Sequence, residues 1–270
     1  MIKTDCHMHT AISSDSDTPM EEMVRASIAS GLEAITFTEH MDWEFPETYD
    51  LDFIFDPDVY FAETERVRKL YGSKITILNG VELGLKNNLK KNYDTLLKEY
   101  NWDFVIGSTH LVDDTDPYYT DYWNSGTEQE CIKRYFASVY DNIRAYNNFD
   151  SLGHLDYILR YAPGNPAAYS YDDCKGIIDS ILRYIIKMDI ALEVNTSGYE
   201  SIGSPNPSRG IIERYINLGG KLITIGSDAH TAEYIGYNYF KLSKLLISSG
   251  IHEYAVYIKR CPIMKKIALD

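Results

Sequence analysis

Seven short runs rich in β-forming residues alternate along this chain with longer segments of helical character. The strand candidates are residues 2–7, 34–40, 75–83, 104–110, 151–156, 190–195 and 222–227. Helical patterns cover residues 18–30, 58–71, 88–100, 128–146, 171–188, 208–218 and 239–248. This alternation is typical of a parallel α/β fold, since each helix returns the chain to begin the next strand in the same direction.

Boundary signals are clearest for the first predicted helix. Thr18 is placed to act as its N-cap, Pro19 lies in its first turn, and Gly31 follows its end. The tail, residues 254–269, fits either a last strand pair or a closing segment. Two long loops, 41–57 and 111–127, are rich in aromatic, acidic and proline residues, and we predict that they form the walls of a pocket.

Length and charge restrict the domain organisation and the partners. A chain of 270 residues suits one large barrel or two smaller domains. The absence of a Gly/Ser-rich linker favours a single domain that spans residues 1–270. Apolar runs fall short of the roughly 18 residues needed to cross a bilayer. With no apolar leader at the amino terminus, the prediction is a cytoplasmic protein without a membrane partner. The oligomeric state is left open.

The net charge of −14 argues against a nucleic-acid partner, because binding to a phosphate backbone needs clustered Lys and Arg side chains. An anionic substrate would need a local source of positive charge. Bound divalent cations would supply that charge and would also neutralise clustered carboxylates.

The positions of the histidines indicate where the chemistry lies. Six of the seven are at or just beyond the carboxyl ends of predicted strands: His7, His9, His40, His110, His154 and His230. In a parallel barrel these ends meet on one face. Three carboxylates join them, Asp15 after the first strand, Glu82 at the end of the third and Asp228 after the seventh.

This residue set predicts a metal centre. In His7-x-His9 the two side chains face the same side of an extended segment and can chelate one ion. Mixed His, Asp and Glu ligands suit Zn, Mn or Fe better than calcium. Nine candidate ligands exceed the needs of one tetrahedral ion, so the expectation is two or three divalent ions with Glu82 as a bridge. The alternative is a coincidental set of polar strand ends, which would bind no stoichiometric metal.

Seven ordered motifs then carry a resemblance that covers almost the whole chain. They are the segments at residues 5–10 with 14–16 (DCHMHT, SDS), 37–40 (FTEH), 80–82 (GVE), 107–110 (GSTH), 153–156 (GHLD), 193–198 (EVNTSG) and 226–230 (GSDAH). These motifs resemble those of the polymerase and histidinol phosphatase (PHP) superfamily, and in particular its histidinol-phosphate phosphatases. The resemblance implies a distorted seven-stranded, TIM-like β/α barrel with a trinuclear metal cluster at its carboxyl face.

The resemblance also implies a division of the ligands among three ions. His7, His9, Glu82 and Asp228 would bind the first ion. Glu82, His110 and His154 would bind the second. Asp15, His40 and His230 would bind the third.

A cluster of this kind suits phosphomonoester hydrolysis. The hypothesis is in-line attack by a metal-bridging hydroxide without a phosphoenzyme, since the ions supply the nucleophile. The sequence does not identify the general acid. Arg160 and Arg209 follow the fifth and sixth strands and are candidates to bind phosphate. Relatives often carry a basic residue soon after the Asn-Thr-Ser-Gly segment, whereas this chain has Tyr199 and Glu200 there.

The resemblance predicts hydrolysis of L-histidinol phosphate to L-histidinol and phosphate, in histidine biosynthesis. The alternatives are a PHP phosphoesterase acting on nucleotides or another small phosphate ester, and a metal-binding protein without turnover. Loop residues are candidates to contact the substrate. Asp42 and Asp113 are placed to bind an ammonium group, and aromatic side chains are placed to enclose an imidazole. Those aromatic residues are Trp43, Phe45, Tyr118, Tyr119, Tyr122 and Trp123.

Overall fold

The computed structural model describes residues 1–165 and 169–269, and its seven parallel strands pair in chain order to form one sheet. The strands are β1 (Thr4–Asp5), β2 (Ala34–Met41), β3 (Thr76–Gly84), β4 (Phe104–Ser108), β5 (Ser151–Leu152), β6 (Ala191–Asn195) and β7 (Ile223–Gly226). The amide of Cys6 donates to the carbonyl of Ile225 at 3.0 Å, which joins the first strand to the last. The sheet is therefore a nearly closed barrel, and the predicted distorted seven-stranded α/β fold is confirmed.

Helices surround the barrel. They are α1 (Met20–Ala29), α2 (Pro57–Tyr71), α3 (Lys90–Glu99), α4 (Thr120–Trp123), α5 (Glu128–Ala145), α6 (Lys175–Lys187), α7 (Gly198–Ser201), α8 (Arg209–Asn217) and α9 (Tyr239–Ser248). All of those described except the short α4 and α7 lie at predicted places. Thr18 does not cap α1 as predicted, because its hydroxyl donates to the carbonyl of His230 at 3.0 Å. It ties the loop after β1 to the loop after β7, on the same face of the barrel.

Local capping signals explain where other helices begin. Asp56 caps α2, its carboxylate accepting from the amide of Asp58 at 2.9 Å, and Pro57 occupies the first helical position. At α5, Thr127 and Glu130 form a reciprocal capping box. Both helices then pack one apolar side against the barrel.

The tail forms a β-hairpin of strands β8 (Glu253–Ile258) and β9 (Cys261–Lys266), the first of the two alternatives left open by the sequence. The hydroxyl of Tyr254 accepts from the Thr4 hydroxyl at 3.1 Å, and that of Tyr257 donates to the carbonyl of Asp150 at 3.3 Å. Thr4 and Asp150 lie where β1 and β5 begin. The hairpin therefore lies across the amino ends of the strands, opposite the face where the strands end.

Close approach of β7 to the segment after β1 depends on a glycine. A β-carbon on Gly226 would lie 2.3 Å from Cβ of His7 and 2.8 Å from a carboxylate oxygen of Glu193. Any larger residue would push His7 away from its neighbours. Within the described residues, none of the helices has both the length and the apolar character required to cross a membrane.

Candidate metal centre

His7 and His9 follow β1, and both side chains are fully buried. Their Nε2 atoms lie 3.1 Å apart. Both nitrogens also face Asp228, at 3.6 and 3.3 Å from its Oδ1. The two-residue spacing therefore turns both imidazoles to one side of the chain, as predicted.

Glu82 lies at the centre of the histidines. Its Oε1 is 2.9 Å from Nε2 of His154 and 3.2 Å from Nε2 of His110. Its Oε2 is 3.2 Å from Nε2 of His7 and 3.1 Å from Nδ1 of His40. One carboxylate thus has four histidine nitrogens within 3.2 Å, two at each oxygen, and Nε2 of His9 lies 3.5 Å from Oε2, which is the arrangement that a bridging ligand requires.

Asp15, His40 and His230 complete the cluster near its mouth. Oδ2 of Asp15 lies 3.3 Å from Nε2 of His40 and 3.0 Å from Nε2 of His230. The ring of His9 stacks on those of His40 and His230, with centroids 4.2 and 4.3 Å apart. The structure therefore brings all nine predicted ligand residues into one cluster.

Two carboxylates orient histidines of the cluster by contacting the ring nitrogen that points away from Glu82. Glu193, on β6, has Oε1 at 2.6 Å from Nδ1 of His7, and Oδ2 of Asp42 is 2.9 Å from Nδ1 of His110. In each case the other ring nitrogen faces Glu82. A carboxylate that holds one imidazole nitrogen fixes the ring and its tautomer for metal binding through the other. Sequence analysis missed Glu193, although an acidic residue within a buried strand is a signal that could have revealed it.

Glu39, on β2, is another buried carboxylate that sequence analysis missed. It accepts from the Thr10 hydroxyl at 2.6 Å, the Thr10 amide at 3.0 Å and the Ser13 hydroxyl at 2.6 Å. Burial raises the pKa of the Glu39 carboxyl, which these hydrogen bonds partly offset. Glu39 thereby fixes the loop that carries His9 and Asp15.

The electrostatics of the cluster favour a bound cation. Burial raises the pKa of Glu82, but His7, His110 and His40 outweigh that effect and hold it well below its usual range. Burial lowers the pKa of His7, whereas Glu193, Glu82 and Asp228 raise it well above normal overall. Burial beside other histidines lowers the pKa of His9 to about 3. Ionised Glu82 and neutral His9 are in the donor states that metal binding needs, and the carboxylate charge that holds a proton on His7 can be neutralised instead by a metal ion that displaces this proton. These residues therefore fit a metal centre.

The cluster lines one part of an open pocket, and a second, largely aromatic wall adjoins it, with Phe53 beside His40 and Tyr157 beside His154. This second wall consists of Phe45, Phe53, Asp116, Tyr157 and Tyr161. Phe45 is the member of the predicted aromatic set that lines the pocket. Of the others, Trp43 packs on Tyr93 with ring centroids 5.6 Å apart, and Tyr122 is buried.

Of the two predicted phosphate-binding arginines, the structure brings Arg160 into the pocket. Its Nη1 donates to Oδ2 of Asp228 at 2.9 Å, and its Nε donates to Oδ1 of Asn206 at 2.9 Å. Its Nη2 is buried and has no hydrogen-bond partner among the described residues. The guanidinium is thus held by two hydrogen bonds, and the N–H groups of Nη2 are left to bind a ligand.

Arg209 does not reach the pocket. It is the first residue of α8, and its Nε donates to Glu213 one turn later at 2.7 Å on the exposed side of the helix. The prediction for Asp113 is also corrected. Asp113 is exposed, whereas Asp42, which was proposed with it, is buried beside His110.

A nearly closed barrel with a histidine and carboxylate cluster at its carboxyl face defines a class of metal-binding α/β barrels. The sequence pattern of the PHP domain matches residues 5–197. The chain therefore belongs to the PHP domain family.

The relatives that this chain is similar to include histidinol-phosphatases. The histidinol-phosphatase of Lactococcus lactis is 32% identical over 95% of this chain and 95% of its own length. A probable histidinol-phosphatase of Clostridium acetobutylicum is 33% identical over 89% of this chain and 91% of its own length. The crystal structure of histidinol phosphate phosphatase from Lactococcus lactis, complexed with Zn, L-histidinol and phosphate, superposes with a TM-score of 0.89. It is 30% identical and covers 97% of this chain and 98% of that chain.

Proposed function

We propose that this protein hydrolyses L-histidinol phosphate to L-histidinol and phosphate in a metal-dependent reaction of histidine biosynthesis. The observation that carries the proposal is the buried contact of Glu82 with four histidines in the pocket that also contains Arg160. Similarity over nearly the whole chain to an enzyme solved with Zn, L-histidinol and phosphate supports the substrate.

We also propose three metal positions. Sets of donors that can converge on one ion include His7, His9 and Glu82 in one group and Glu82, His110 and His154 in another. Of the remaining ligands, Asp228 lies beside His7 and His9, and Asp15, His40 and His230 lie together at the mouth. Divalent ions held there would lower the pKa of water and polarise the phosphoryl oxygens. Zn is supported by its presence in the similar enzyme, with Mn and Fe as the other candidates.

The side chains of this protein have separate roles in that reaction. The unpartnered Nη2 of Arg160 binds a phosphoryl oxygen, while the hydrogen bond from Nη1 to Asp228 fixes the orientation of the guanidinium. Glu193 and Asp42 hold His7 and His110 in their metal-binding orientation. Arg160 is thus the proposed phosphate-binding residue.

Two broader features complete the proposal. Residues 1–270 would form one phosphatase domain, since a continuous buried core runs from Ile2 to Ile267. A cytoplasmic location is supported by four cysteines that form no disulfide, as expected in a reducing compartment.

The test measures phosphate release from L-histidinol phosphate, a nucleoside monophosphate and an aryl phosphate, using protein of measured metal content. We expect a strong preference for L-histidinol phosphate, and a loss of at least about 100-fold in His9→Asn. His252→Asn, which changes the exposed histidine outside the cluster, is the matched control and should retain full activity. Preference for a nucleotide would overturn the substrate, and metallated protein without any release would overturn the phosphatase function.

A further inference from the structure

Asp116 is a nearly buried carboxylate in the aromatic wall of the pocket. One of its oxygens accepts from the amide of Tyr118 at 2.8 Å. Among the described residues, no Lys, Arg or His side chain forms an ion pair with this carboxylate. A carboxylate withdrawn from water without a cation is energetically costly, so its retention in a pocket points to a ligand.

The other aspartates of the pocket are already paired. Asp15 faces His40 and His230, and Asp42 faces His110. Asp228 accepts from Arg160. Asp116 therefore differs from them in having its charge available to a group that enters from outside.

The position of Asp116 is fixed by contacts between the two long loops. Its amide donates to the hydroxyl of Tyr49 at 3.2 Å. The ring of Tyr49 stacks on that of Tyr119, with centroids 4.1 Å apart and planes at 8°. The carboxylate is thus held on a preorganised wall, which lowers the entropic cost of binding.

Aromatic side chains surround the same part of the pocket. Phe45 packs edge-on against Phe53 with centroids 4.7 Å apart, and Tyr157 packs edge-on against Tyr161 at 5.0 Å. Aromatic faces favour flat rings and organic cations. The chemistry of this wall suits a positively charged planar or ammonium group, whereas the histidine cluster and Arg160 suit a phosphate.

We propose that Asp116 is a specificity-determining residue that pairs with an ammonium or imidazolium group at the far end of the phosphomonoester substrate. This inference rests on the proposed phosphatase function for its kinetic consequences. It also makes a prediction about binding that does not require turnover.

The kinetic test compares Asp116→Asn with the native enzyme on L-histidinol phosphate and on an aryl phosphate that carries no cationic group. Asparagine keeps the size of the side chain and an oxygen for the amide of Tyr118. We expect kcat/KM for L-histidinol phosphate to fall about tenfold to 100-fold, while that for the aryl phosphate changes less than about twofold. Asp113→Asn, an exposed position in the same loop, is the matched control and should change neither value.

The binding test titrates L-histidinol and inorganic phosphate separately into both proteins by calorimetry. Asp116→Asn should weaken L-histidinol binding by a similar factor and leave phosphate binding unchanged. Equal loss for both kinetic substrates, or unaltered L-histidinol binding, would overturn the role of Asp116. Binding that depends on Asp116 in a protein that hydrolyses none of the esters would instead overturn the phosphatase function and keep the cation site.

Discussion

Glu82 is the residue on which the proposed centre depends most strongly, because four imidazoles converge on its two oxygens. Glu82→Gln keeps the size of the side chain and removes the negative charge. We expect it to reduce the bound metal to substoichiometric levels and phosphate release by at least about 100-fold. Metal analysis by mass spectrometry with a phosphate assay checks this, and Glu65→Gln on the exposed side of α2 is the control. Full metal content in Glu82→Gln would contradict a bridging role.

Asn206 and Asp228 both hydrogen-bond the guanidinium of Arg160 and position it. The amide of Asn206 donates to Oδ1 of Asp156 at 2.6 Å and accepts from Nε of Arg160 at 2.9 Å. Asn206→Ala should therefore loosen the guanidinium, which would keep only its bond to Asp228, and weaken phosphate binding about tenfold, with metal content unchanged. Titration with inorganic phosphate measures the effect, and Asn147→Ala, on the surface, should bind phosphate as the native protein does. Unchanged phosphate affinity in Asn206→Ala would refute this role.

Asp113 was predicted to contact the substrate, but the carboxylate from this loop that lines the pocket is that of Asp116. Val112 and Thr115 form two mutual backbone hydrogen bonds, at 2.9 and 3.0 Å, and enclose a turn. Asp113 and Asp114, at the tip of this turn, have φ values of 50° and 56°. The turn carries Asp113 into solvent and returns the chain to the pocket at Asp116. Hydrophobic periodicity does not encode such a reversal, whereas the strand-end histidines were predictable because parallel strands end on one face.

At the scale of elements, all seven predicted strands form, but β1 and β5 keep only two residues each. β1 was predicted to extend as far as His7, and β5 was predicted to extend past His154. The chain leaves regular pairing there because side chains of the cluster fix its path. The amide of His154, for example, donates to Glu193 at 2.7 Å instead of to a strand.

The hairpin could not be resolved from the sequence because its turn lacks the usual residues. Lys259 and Arg260 occupy the two central positions with φ values of 51° and 63°, where Asn or Gly is normally found. Tertiary contacts stabilise this conformation. The amide of Lys259 donates to Asp103 at 3.0 Å, and Nε of Arg260 donates to Asp150 at 2.5 Å.

The contact between Arg260 of the hairpin and Asp150 predicts that the stability of the folded protein depends on pH. Burial raises the pKa of Asp150 to about 6, although Arg260 lowers it in part. The folded state then holds the proton more tightly than the unfolded state, so this contribution to stability decreases as pH rises from about 4 to about 6. Arg260→Gln should raise the pKa further and destabilise the protein by about 2 kcal/mol at pH 8, with little effect at pH 5.

Urea unfolding at both pH values measures that difference. The same Arg260→Gln change in an Asp150→Asn background is the control, because no carboxylate is left to ionise. There the loss should be independent of pH. An equal loss at pH 5 and pH 8 in the single variant would show that Arg260 acts through packing alone.

For the whole molecule, the proposed metal ligands come from segments between residues 7 and 230 and would link all strand ends except that of β6 directly. Binding to the folded state alone stabilises it by about 2.7 kcal/mol at a free concentration 100 times the Kd. Chelation should therefore lower the Tm, and reloading with Zn should restore it. His252→Asn should show the same shift, and His9→Asn a smaller one. A Tm that is indifferent to metal in the native protein would contradict the proposed cluster.

The barrel closure between β1 and β7 also determines the order in which this protein can mature during synthesis. His7 and His9 are synthesised before Asp228 and contact it only once the strands between them have been made. Before that point the cluster lacks Asp228 and His230, and the barrel lacks the strand that closes it. The Thr4 hydroxyl acquires its partner, Tyr254, later still. A nascent chain stopped before residue 226 should therefore be a substrate for chaperones and proteases rather than a smaller working enzyme.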